Sequence, residues 1–147
     1  MEVTKTIDYK KLLTEHQLWP METWARFDFE HQPPSNPEGI ISEAIKKQTD
    51  LLRKNVAKER GLYVYYKNGE CLYVGKAARL FNRLKSHYYE AQKKVSGDTK
   101  NNKWHRFFSS NTGKIVIYWK QVENETDRQI FELALTAVLH PVFEKFH

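Results

Sequence analysis

The sequence predicts a mixed fold of the α+β kind. Three observations carry that expectation. Residues 61–87, GLYVYYKNGECLYVGKAARLFNRLKSH, read as strand, tight turn, strand and basic helix. Residues 114–122, KIVIYWKQV, form a β-branched and aromatic run, hence a third strand. Stretches near 37–58, 77–90 and 124–139 place apolar residues at helical spacing.

Taken in order, Asp8 is placed to cap a short helix through about Gln17, with Leu12 and Leu13 as its apolar contacts, ended by Leu18-Trp19-Pro20. Residues 19–29 are rich in rings: Trp19, Trp24, Phe27 and Phe29. They read as a loop or short element stapled to the core, with a base-stacking surface as the functional alternative. The run 32–37, QPPSNP, breaks the chain. Asn36 with Pro37 then opens a helix over about 37–58, where Ile40, Ile41, Ala44, Ile45, Leu51, Leu52 and Val56 form its apolar side. Residues 1–58 thus read as a helical extension packed on a main domain, 59–147.

The hairpin register admits two solutions. A two-residue Asn68-Gly69 turn pairs Lys67 with Glu70 and sets Tyr63 opposite Val74. A three-residue turn with Gly69 left-handed pairs Tyr66 with Glu70 and sets Tyr63 opposite Tyr73. The three-residue turn is the expectation adopted, because it puts both phenols on one side.

In the helix that follows, Leu80, Leu84 and Tyr88 make one stripe, and Arg79, Arg83 and His87 make its neighbour. Residues 91–103 read as a polar basic loop and 104–108 as a short helix. In the third strand Ile115, Ile117 and Trp119 alternate with Val116, Tyr118 and Lys120, so both faces are expected to be covered in part. Asn124 or Thr126 caps the last helix, which runs to about Leu139 with Ile130, Phe131, Ala134, Leu135, Val138 and Leu139 as its apolar face. His140-Pro141 closes it.

A chain of 147 residues, 40% hydrophobic and 14% aromatic, has enough apolar material for a core. Its single cysteine, Cys71, excludes an intrachain disulfide and reads as a packed thiol. No apolar run approaches the ~20 residues that span a bilayer, and the opening MEVTKTIDYKK lacks the apolar core of a signal peptide. The expectation is a soluble, cytoplasmic protein with no membrane partner. The net charge is +6, and it is unevenly placed: residues 76–120 carry 11 basic side chains against Glu90 and Asp98. A basic block beside a tyrosine hairpin attracts a polyanion; a solvated lysine surface is the plain alternative, and charge alone does not separate them.

Two triplets, Gly61-Leu62-Tyr63 and Tyr73-Val74-Gly75, stand around the turn, followed by Lys76-Ala77, then Leu80, Arg83, Leu84 and His87, with Glu132 and Pro141-Val142-Phe143 further on. In these residues, across about 61–144, the chain resembles the GIY-YIG endonuclease superfamily, and its Tyr-Val-Gly-Lys-Ala run is similar to the branch that includes the bacterial excision-repair nucleases. The resemblance implies a small, mostly antiparallel three-stranded sheet flanked by helices, and divalent-metal-dependent cleavage of nucleic-acid phosphodiesters. DNA is the usual partner, and RNA is left open.

It further implies a catalytic set of Tyr63, Tyr73, Arg83, His87 and Glu132. Glu132 is a hard oxygen ligand suited to Mg²⁺ or Mn²⁺. Arg83 would hold the scissile phosphate. Tyr63 is implied as general base, which asks Lys76, Arg83 or the metal to lower its pKa; His87 is the alternative base, and Tyr73 would orient water or relay its proton. Lys76, Arg79, Lys85, Lys103 and Arg106 are the expected phosphate contacts. Many relatives end Pro-x-Tyr/Phe-Asn; here Glu144 stands at the asparagine position. Two alternatives to an enzyme remain: a non-cleaving nucleic-acid-binding module on the same fold, and a protein-interaction subunit using Trp19, Trp24 and the 37–58 helix.

Overall fold

The computed structural model describes residues 7–31, 43–92, 107 and 111–143. Helix α1 spans Tyr9–Glu15, strand β1 Ala25–His31 and helix α2 Glu43–Asn55. Strands β2 (Gly61–Lys67) and β3 (Glu70–Ala77) form the hairpin, and α3 covers Leu80–Gln92. Strand β4 is Gly113–Gln121 and α4 is Glu125–Leu139. The expected Asn36 cap, the start of the 37–58 helix, the 91–103 loop beyond Gln92 and most of the 104–108 helix lie outside the described residues.

The sheet has four antiparallel strands in the order β1-β4-β2-β3, one more than expected. The additional strand, β1, comes from the stretch read as a ring-rich loop. Its sequence, ARFDFEH, alternates: Phe27, Phe29 and His31 turn inward while Arg26, Asp28 and Glu30 face solvent. The four rings within residues 19–29 mask that period of two.

Both faces of the sheet are covered. On one, α2 and α3 pack Ile45, Leu52, Leu80, Leu84 and Tyr88 against Tyr63, Tyr65, Tyr73, Ile115 and Ile117. On the other, α1 and α4 pack Leu13, Phe131, Ala134 and Leu135 against Leu62, Val64 and Val74, with Leu18, Met21 and Trp24 filling the same layer. Two-sided cover is why β2 is buried from Gly61 through Tyr65 without polar alternation. Each fully buried leucine in these layers contributes about 1.5–3 kcal/mol.

Local chemistry sets the helix ends. The Asp8 carboxylate accepts from the Lys11 amide at 3.0 Å, and the Asn124 amide oxygen accepts from the Asp127 amide at 3.0 Å, so Asn124 rather than Thr126 is the cap. The first amides of α3 are met by the segment before β2: Leu80 N–H donates to Glu59 O and Phe81 N–H to Ala57 O, at 2.9 and 3.1 Å. That pair fixes where α3 leaves the hairpin, and hence where Arg83 and His87 stand.

The turn corrects the adopted register. Asn68 and Gly69 have φ of 52° and 78°, the two-residue type I′ turn, and Lys67 pairs with Glu70. Tyr66 then pairs with Cys71, but Tyr65 pairs with Tyr73, because Leu72 is an extra residue in a β-bulge. Past the bulge Val64 faces Val74 and Tyr63 faces Gly75. The phenols of Tyr63, Tyr65 and Tyr73 therefore share one face, through a bulge and not through a longer turn.

Candidate active site

Tyr63 stands mid-strand in β2 and Tyr73 in β3, with ring centroids 5.9 Å apart. Tyr65 completes a triangle, 5.4 Å from Tyr63 and 6.1 Å from Tyr73. The glycines of both triplets have steric reasons. A β-carbon on Gly75 would fall on the ring of Tyr63, its cross-strand partner, and one on Gly61 would strike the Lys120 carbonyl and the Leu80 side chain. Gly75 lets the Tyr63 ring lie flat across the strand; Gly61 lets β2 approach β4 and α3.

Helix α3 brings in two further groups. The His87 ring lies 6.0 Å from that of Tyr63 and 6.2 Å from that of Tyr73, with 5% of the residue exposed. Arg83, one turn earlier, is exposed, and its charge acts on all three phenols. From α4, Glu132 is 4% exposed, and its carboxylate charge acts on Tyr73. Phe107 and Phe143 pack on the outer side of Tyr73, at 6.4 and 5.7 Å. Five side chains from β2, β3, α3 and α4, separated by up to 69 positions, thus share one electrostatic neighbourhood.

The two phenols are unlike. Burial pushes Tyr63 well above the ordinary tyrosine value, and its neighbours Tyr65 and Tyr73 add to that rise. Tyr73 is pushed up to about 12, by burial first; the Tyr63 hydrogen bond and Arg83 lower it, while Glu132 raises it. A hydrogen bond joins the two phenols and sets their pKa values apart. Of the cations expected to lower Tyr63, Arg83 does pull it down, but burial outweighs the guanidinium.

Among the described residues no three His, Cys, Asp or Glu side chains gather into a metal cage. A magnesium ion does not ask for one. It keeps several waters and is commonly held by one or two carboxylates together with substrate phosphate oxygens. Glu132, buried and near enough for its charge to act on the Tyr73 phenol, is a donor of that kind.

The expected phosphate contacts divide. Lys76 on β3 is half-buried and, with Arg83, lines an open cleft of about 150 Å³. Arg79 is exposed just before α3. Lys85 lies with its ammonium 5.4 Å from the Tyr89 ring. Lys103, Arg106 and Glu144 lie outside the described residues. Two residues went unremarked in the sequence: Tyr65, whose signal was its i+2 spacing from Tyr63, and Arg128 at the start of α4, which lines the same cleft.

No family model matches this chain, and no curated protein matches it. Among solved structures it is similar to the GIY-YIG N-terminal endonuclease domain of UvrC from Thermotoga maritima. The magnesium-bound form of that domain is 26% identical with a TM-score of 0.48, covering 70% of this chain and 98% of that one. Two of its tyrosine-to-phenylalanine point mutants, each bound to its catalytic divalent cation, are 25% and 27% identical, with TM-scores of 0.48 and 0.47 and coverage of 70% of this chain and 98% and 97% of theirs.

Proposed function

We propose that this chain is a divalent-metal-dependent endonuclease that hydrolyses phosphodiester bonds in DNA. One observation carries the reading: Tyr63, Tyr73, Arg83, His87 and Glu132 occupy the motif positions in sequence and share one neighbourhood in space.

A bound Mg²⁺ or Mn²⁺, held by Glu132 and otherwise by water and phosphate oxygens, would supply Lewis-acid polarisation of the phosphate and of the attacking water. The chain's own residues do the rest. Arg83 pairs with the scissile phosphate and offsets the charge that grows on its oxygens. Tyr63 receives the proton of the attacking water as it passes its own to Tyr73, and Tyr73 passes its own to His87, so no free phenolate is needed at rest. His87, beside both rings, is the terminal proton acceptor. The water oxygen bonds to phosphorus, the bond to the 3′ oxygen breaks, and that oxygen leaves with a proton from solvent.

The test compares wild type with Glu132→Ala on supercoiled plasmid in Mg²⁺, alongside a gel-shift assay. Nicking by wild type, lost in the variant with binding retained, supports the enzyme. Binding without nicking by either protein replaces it with a nucleic-acid-binding module on the same fold.

A further inference from the structure

The cleft beside the phenols is lined by Lys76 and Arg83 and, from the first turn of α4, by Glu125 and Arg128. Arg128 is 6% exposed. Its Nη1 donates to the carbonyls of Val122 and Glu123 at 2.9 and 2.8 Å, which pins the guanidinium under the β4–α4 connection. Its Nε–H and Nη2–H groups make no hydrogen bond among the described residues, and no carboxylate there lies within ion-pair distance of it; the same holds for Lys76 and Arg83. Those free donors are not buried without a partner; they are open to an anion that enters the cleft. The cleft sets three cations against one carboxylate, and the amino end of α4 adds positive potential.

We infer that this cleft is a second phosphate subsite, in which Arg128, with Lys76, holds the backbone phosphate next to the one being cut. This rests on reading the neighbouring site as one for nucleic acid. Arg83 lines the cleft and also acts on the three phenols, so the two anion positions adjoin and belong to consecutive phosphates of one strand. Arg128 presents a planar fork of donors, which suits a phosphate held in a fixed orientation. Glu125, exposed at the rim, opposes the anion and sets how tightly the strand is held.

The test is the salt dependence of binding to a short DNA duplex in EDTA, read without cleavage. Each phosphate contact contributes roughly 0.9 to the slope of log affinity against log salt. Arg128→Gln is expected to lower the slope by about 1. Glu125→Gln is expected to tighten binding about threefold, the scale of one screened surface charge. Should Arg128→Gln fail to fold through loss of its carbonyl bonds, Glu125→Gln decides alone. Unchanged affinity in Glu125→Gln overturns the subsite, as does an unchanged slope in folded Arg128→Gln. A protein that shows both shifts yet never nicks DNA would sink the endonuclease reading and leave the subsite standing. Nicking with neither shift would do the reverse.

Discussion

The ring of Tyr63 lies against Gly75, its partner across the hairpin, in space that a β-carbon would occupy. The second glycine of the motif is therefore part of the seat of the first tyrosine. Gly75→Ala is expected to push the Tyr63 ring out of its place beside Tyr73 and His87. The overpacking should cost about 1–3 kcal/mol of stability, and cleavage should fall at least about 100-fold, since an ångström of misplacement is enough for that. Thermal melts and nicking rates measure the two effects; a folded variant that cuts at the wild-type rate contradicts the seat.

Tyr63→Phe and Tyr73→Phe break the same hydrogen bond from opposite ends. Either change takes that bond from a buried phenol and should cost about 1–3 kcal/mol. Tyr63→Phe should in addition lose most cleavage, because it removes the group that takes the proton of the attacking water. Denaturant melts of both variants, with nicking rates, separate the two roles.

Burial pushes the Cys71 thiol up to about 12, well above the ~8.5 of an unfolded cysteine. The folded state favours the neutral thiol, so this contribution to stability is complete below about pH 8.5 and is lost as pH rises toward 12. At pH 8 the native protein should react with iodoacetamide at least about 100-fold more slowly than the urea-unfolded chain, because only thiolate attacks. Mass spectrometry follows the single modification; equal rates would show Cys71 open to solvent.

Phe29 on β1 is buried against Tyr88, with ring centroids 4.8 Å apart at 83°. If β1 is a full member of the sheet, Phe29→Ala should cost about 3–5 kcal/mol. A cost below about 1 kcal/mol, read from urea unfolding, would return residues 25–31 to the status of a loosely attached loop.

Much of this arrangement was legible in the sequence. The Leu80–Leu84–Tyr88 stripe is buried as its spacing required, and the alternation in β4 marks a strand covered on both faces. The Asn-Gly pair favours a two-residue turn, which is the one found; the three-residue turn was adopted against that local signal to bring the two phenols to one side. What could not be read was how the phenols still come to one face. The Leu72 bulge lies where the carboxyl-terminal segment docks, with Val142 N–H donating to Cys71 O at 3.1 Å and Phe143 N–H to Leu72 O at 2.9 Å. That partner lies some seventy positions away, and no local pattern announces it. The Tyr63 phenol is a related case: sequence names the cations that lower its pKa, whereas the depth of burial that raises it is a property of three packed layers.

The central claim is that a buried carboxylate, two phenols, an imidazole and a guanidinium form a metal-dependent phosphodiester-cutting site. The most direct measurement is single-turnover cleavage of end-labelled DNA over a titration of Mg²⁺, with wild type beside Glu132→Gln, which keeps the side chain's shape. Product from wild type should appear only with metal and saturate, and the variant should be at least about 100-fold slower, the scale of losing one transition-state contact. Equal rates in the two proteins, or no product from wild type at any metal concentration, would contradict the account.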